Sequence, residues 1–97
     1  MHVFDLYLMG YVDFINWGFS SLHLEQRLSE NGISLDYIQD KIFYEEPIDF
    51  AYSRDNRFEV FFESPETKDY DELKLIFACG VDSIDVISVI PNNVNWH

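Results

Sequence analysis

Ninety-seven residues suffice for one domain, and with 47% apolar and 18% aromatic residues the chain has ample material for a core. Eighteen acidic against six basic side chains give a formal net charge of −12, shared evenly by the two halves, so the charge belongs to the folded surface and not to a tail. The apolar share excludes a disordered composition, while the charge argues against DNA, RNA and anionic lipid as ligands and favours a cationic protein partner.

The first segment, residues 1–16, reads as an N-terminal extension and is open between helix and strand. Phe4, Leu8, Tyr11, Val12 and Ile15 recur at helical spacing, yet the aromatic and branched content also suits a strand. Asp5, Asp13 and Asn16 interrupt it and no cationic leader precedes it, so neither a signal peptide nor a membrane span is expected, and a reducing cytoplasm is the default. Ser20 or Ser21 caps a short helix over residues 21–30, which Asn31-Gly32 stops. Ser34 caps a second helix with Leu35, Ile38 and Ile42 as its buried stripe, and Pro47 prevents its continuation.

From residue 48 the period changes to two. Ile48, Phe50 and Tyr52 share one face of a strand, "SRDNR" turns the chain, and Phe58, Val60 and Phe62 share a face of the next. Residues 64–72 read as a charged loop, and "LKLIFAC" and "IDVISVI" as two further strands joined by "GVDS". Pro91 is expected to end the sheet, leaving 92–97 as a short tail. Two short helices followed by four hairpin-linked strands predict a single α+β domain over 1–97, its helices packed on a mainly antiparallel four-stranded sheet.

One stretch is familiar. His23, Arg27, Glu30, Gly32, Ile33 and Ser34 stand in the places of an H-A-x-x-R-x-x-E-R-G-I-S segment. The chain thereby resembles a widespread small bacterial and archaeal domain of unknown function, over about residues 14–91. That family is similar to the BrnT-like and RelE-like toxins of toxin–antitoxin pairs, so the resemblance implies helices against a curved antiparallel sheet. For an active member it also implies RNA cleavage without metal or cofactor. The chain departs from the pattern in carrying Asn31 where the family commonly has Arg, and in a last strand without a basic residue.

His23 and Arg27 lie one helical turn apart on one face. As a catalytic pair, His23 would act as general base and Arg27 as phosphate clamp; as ordinary surface groups they would bond carbonyls or carboxylates such as Glu30. Arg54 and Arg57 flank the hairpin turn, either as substrate-binding cations or as solvated partners of Asp55 or Glu59. Tyr37, Tyr44, Tyr52 and Tyr70 are candidates for stacking or proton transfer, though packing is the commoner use.

The acidic loop with Asp69, Asp71 and Glu72 is a candidate surface for a basic partner. Neither it nor Glu45, Glu46 and Asp49 has the D-x-D-x-D-G pattern of a calcium loop, and His2 and His97, at the fraying ends, make poor zinc ligands. Cys79 is expected to act as a small buried hydrophobe. No metal and no cofactor is therefore expected. The charge ranks a non-catalytic interaction module, bound to a basic protein or to a second copy, ahead of a metal-independent ribonuclease toxin.

Overall fold

In a computed structural model, which describes residues 2–67 and 69–93, the chain is α+β. Three α-helices, α1 (Val3–Leu8), α2 (Leu22–Asn31) and α3 (Leu35–Tyr44), accompany five strands: β1 (Asn16–Gly18), β2 (Asp49–Tyr52), β3 (Arg57–Glu63), β4 (Glu72–Cys79) and β5 (Ser83–Asn92). Among the described residues the strands form one sheet in the order β1-β5-β4-β3-β2. The sheet is mixed, because β1 runs parallel to β5 while the other pairs are antiparallel. The expected four antiparallel strands and two helices are thus corrected to five strands and three helices.

The additions come from residues 1–18. Val3, Phe4 and Tyr7 are buried at helical spacing, so this segment is part of the core and not an extension. Its first N–H groups would be orphaned without a cap. His2 supplies one, accepting from the Phe4 N–H at 3.1 Å through Nδ1, so this end is held rather than frayed. Gly10, at φ +85°, turns the chain out of α1; a single 3-10 turn (Val12–Phe14) then leads into β1.

The remaining caps follow the sequence. Ser21 Oγ accepts from Leu24 N–H at 3.4 Å, and Ser34 Oγ from Tyr37 N–H at 3.1 Å. Gly32, at φ +63°, closes α2 in the left-handed conformation that glycine tolerates best. Ile38 and Ile42 are buried on α3 as expected, Leu35 only partly, and Lys41 lies buried between them.

One face of the sheet carries Val60 and Phe62 of β3, Leu73, Leu75, Phe77 and Cys79 of β4, and Ile84, Val86 and Val89 of β5, all buried. α1 covers this face through Phe4, stacked on Phe58 at 3.9 Å, and through Tyr7, edge-on to Phe77. α3 reaches it through Phe43, edge-on to Trp17, which in turn meets Phe77. Burial pushes the Cys79 thiol up to about 11, in keeping with a packing residue.

β5 departs from simple alternation. Ile76 pairs with Ser88 but Phe77 with Val86, so Ile87 is an extra residue in a β-bulge. Val86 and Val89 thereby face the same core although three residues apart. Pro91 does not end the sheet: it pairs with Leu73 inside β5. It is tolerated because β1 borders β5 only at Ser83–Asp85, so the missing N–H interrupts no ladder on the outer side. Residues 94–97, including His97 and most of the expected tail, lie outside the described residues.

Candidate functional site

α2 packs against β5, burying Leu24 completely and Leu28 partly. With that stripe committed to the core, His23 and Arg27 fall on the flank that looks over the sheet face opposite α1 and α3. There they line a hollow of about 610 Å³. Its floor is Ile76 of β4 with Ile87, Ser88 and Ile90 of β5; the bulge is what delivers both Ile87 and Ser88 to one site.

The far wall is the β2–β3 turn, which contributes Ser53, Arg54 and Arg57. Its two central residues, Asp55 and Asn56, take φ of +53° and +60°, the sign expected of a mirror-image hairpin turn and tolerated by these side chains. Arg57 N–H donates to the Arg54 carbonyl at 2.9 Å. A tight turn of this kind anchors the backbone of both arginines at one rim. Ser21, the α2 cap, completes the opposite rim.

The four His and Arg candidates named from the sequence, His23, Arg27, Arg54 and Arg57, therefore line one hollow. Three of the six Lys and Arg side chains of the chain are gathered there, and no Asp or Glu is among the described lining residues. Acids stand nearby: Asp55 sits in the turn itself between Arg54 and Arg57. Glu59 pairs with Lys74 at 3.1 Å, not with Arg57 as one reading of the turn supposed. Glu30 approaches Arg27 at 3.9 Å, a long and solvent-exposed pair of little energetic weight. Among the described residues neither Arg54 nor Arg57 forms an ion pair. Such a constellation, three guanidinium groups and an imidazole over an apolar floor, suits a ligand carrying one or more phosphate or carboxylate groups.

The four tyrosine candidates lie elsewhere. Tyr37 donates to Glu66 and accepts from Ser64 Oγ at 3.1 Å; Tyr44 is 84% exposed at the end of α3. Tyr52 packs edge-on to Phe58 on β2, and Tyr70 is half-buried in the loop before β4. None of them lines the hollow. The acidic loop is more structured than its sequence suggests. Thr67 Oγ1 shares its proton between the Ser64 and Tyr70 carbonyls, the Asp71 carbonyl accepts from the Ser64 N–H while the Asp71 N–H donates to the Asn92 carbonyl, and Glu72 opens β4 and accepts from Asn92 Nδ2 at 3.3 Å.

The residues that sequence reasoning did not reach are the floor and the hydroxyls: Ile76, Ile87, Ile90, Ser21, Ser53 and Ser88. The only trace of one of them in the sequence is Ser88, a polar residue between apolar neighbours in "VISVI". Among the described residues no three His, Cys, Asp or Glu side chains gather as a metal site requires, and no helix is long and apolar enough to cross a membrane. Compared with protein-family models, with curated proteins and with solved structures, the chain matches none.

Proposed function

We propose that the hollow between α2 and the β2–β3 turn binds the phosphodiester backbone of RNA, and that the protein is a small metal-independent ribonuclease with a RelE- or BrnT-like fold. The observation that carries this reading is the convergence of His23, Arg27, Arg54 and Arg57 on one carboxylate-free hollow in a chain of net charge −12. A net charge acts at long range, where salt screens it beyond roughly 8 Å; His23, Arg54 and Arg57 are exposed, and a phosphate touching them meets them at contact range. The global acidity therefore slows encounter without cancelling local attraction.

In the proposed reaction His23 takes the proton of a ribose 2′-hydroxyl as its oxygen attacks the adjacent phosphorus. The bond from phosphorus to the 5′-oxygen breaks, and that oxygen takes a proton from solvent. The arginines neutralise the charge that gathers on the non-bridging oxygens. The products are a 2′,3′-cyclic phosphate and a 5′-hydroxyl. Incubation of single-stranded RNA with the protein in EDTA should yield these ends, and His23→Ala should abolish cleavage while retaining binding. Intact RNA after incubation with ribosomes as well as without them would defeat the catalytic part of the reading.

A second reading is a non-catalytic, cytoplasmic interaction module with a basic partner. It is favoured by the acidity of the surface outside the hollow and by exposed Leu8, Met9, Tyr44, Ile48 and Phe50 on the opposite side of the molecule. A homodimer through an acidic surface is disfavoured, since each copy would meet its own charge.

A further inference from the structure

On the sheet face away from the cationic hollow, Tyr7 is packed among the rings of Phe4, Trp17 and Phe77 and is only 4% exposed. Its hydroxyl is the one buried side-chain polar atom among the described residues that has no hydrogen-bond partner. Folded chains pair nearly all such atoms; this oxygen is closed to solvent, so a partner reaches it only when the side chains beside it shift. Tyr7 lines a hollow of about 230 Å³ with Leu8, Met9, Ile42, Phe43 and Glu46. A second hollow, of about 380 Å³, shares Leu8, Glu46 and Pro47 with the first and adds Ile48, Asp49 and Phe50.

Size and charge narrow the occupant. The first hollow is smaller than the roughly 300–1,000 Å³ that encloses a whole small molecule, and its continuation into the second suits successive side chains of one segment. Glu46 and Asp49 border the pair of hollows, which selects cationic flanks and repels a second copy of this chain. Strand addition at β2, the outer strand of the sheet, is obstructed because Asp49 Oδ1 already accepts from the Phe50 N–H at 2.8 Å. Recognition then runs through side chains.

We propose that these paired hollows seat an extended segment of a cationic protein partner. One apolar side chain of that segment packs against Ile48 and Phe50. A second side chain, with a polar tip, pairs the Tyr7 hydroxyl once the side chains covering it shift, and flanking Lys or Arg groups meet Glu46 and Asp49. The contact lies across the sheet from the RNA site, so binding at one site does not require the other.

The test uses fluorescent nine-residue peptides alternating Lys with Leu and carrying one central Gln, titrated into the full chain and followed by anisotropy and amide chemical shifts. The expected result is saturable binding with shifts at Leu8, Glu46, Ile48 and Phe50. Paired Glu46→Lys and Asp49→Lys changes should weaken it at least tenfold, and His23→Ala with Arg57→Ala should leave it unchanged. Tyr7→Phe should fold with undiminished stability and lose affinity for the Gln peptide but not for its Leu counterpart. Equal binding of a Glu-for-Lys peptide, shifts confined to other residues, or concentration-dependent self-association through this face would overturn the proposal. So would a marked loss of stability in Tyr7→Phe, because the hydroxyl would then have a partner within the fold.

Discussion

Lys41 is the one buried basic side chain among the described residues, and replacing it with Met tests how α3 is fastened to the sheet. Its Nζ donates to the Glu63 carbonyl at 2.7 Å and lies 3.2 Å from Glu45 and 3.1 Å from Glu66. Burial works to lower its proton affinity, but the bonds to Glu66 and Glu45 and the neighbouring Tyr37 outweigh this and hold it above the ordinary lysine value. Met keeps the length and apolar stem, so the change isolates the ammonium.

Losing a charged hydrogen bond to the Glu63 carbonyl at the end of β3 costs about 1.5–3 kcal/mol. The two glutamates are 47% and 50% exposed and can turn to water, which limits each ion pair to at most about 1 kcal/mol. Relief from burying a charge offsets part of this loss. The expected net loss is about 2 kcal/mol, which in urea lowers the midpoint by about 1–2 M and the Tm by roughly 10 °C. Urea unfolding followed by circular dichroism measures it. A Lys41→Met protein as stable as the parent, or more so, would refute the reasoning, since desolvation would then dominate the site.

Two further outcomes follow from the same packing. Glu66 is held below its ordinary value of 4.5, first by the Tyr37 hydroxyl and then by a backbone bond and Lys41. Its contribution is therefore fully present above that value and is lost as the pH falls through the lowered one. Acid titration of stability between about pH 5 and 3 should be steeper for the parent than for Glu66→Gln; parallel curves would contradict this. Cys79, buried and with its thiol raised to about 11, should react with a disulfide reagent at pH 8 only at the rate of opening of the fold, so that urea accelerates the reaction; rapid modification of the native protein would place the thiol at the surface.

The parts legible in the sequence were those governed by local chemistry. Ser21, Ser34 and Gly32 announced helix ends because caps satisfy orphaned backbone groups within a few residues. The alternation of "FEVFF" and "LKLIFAC" exposed β3 and β4 because each has one buried face. β1 was illegible: three residues cannot display a period, and its pairing with β5 is set by a contact more than sixty residues away. The bulge at Ile87 left only a faint trace in "VISVI", where Ser88 is the one polar residue and either register keeps apolar side chains on both faces, and Pro91 misled because its outer edge has no neighbouring strand.

The site itself was half legible. His23 and Arg27 stood out by helical spacing and Arg54 and Arg57 by their turn, yet no spacing links residue 27 to residue 54. Only the sheet brings them together. A charge count over the whole chain does not register that three of its six Lys and Arg side chains share one hollow.

Salt dependence of RNA binding tests that claim most directly. Each phosphate contact to a single strand contributes about −0.7 to the slope of log affinity against log salt, so three arginines predict a slope of about −2. Titrating a short single-stranded RNA at several salt concentrations, with a non-cleavable 2′-O-methyl backbone, should return that slope. Arg27→Ala, Arg54→Ala and Arg57→Ala should each reduce its magnitude by about 0.7. Absence of binding at low salt, or a slope untouched by all three substitutions, would contradict the cationic hollow as a phosphodiester site.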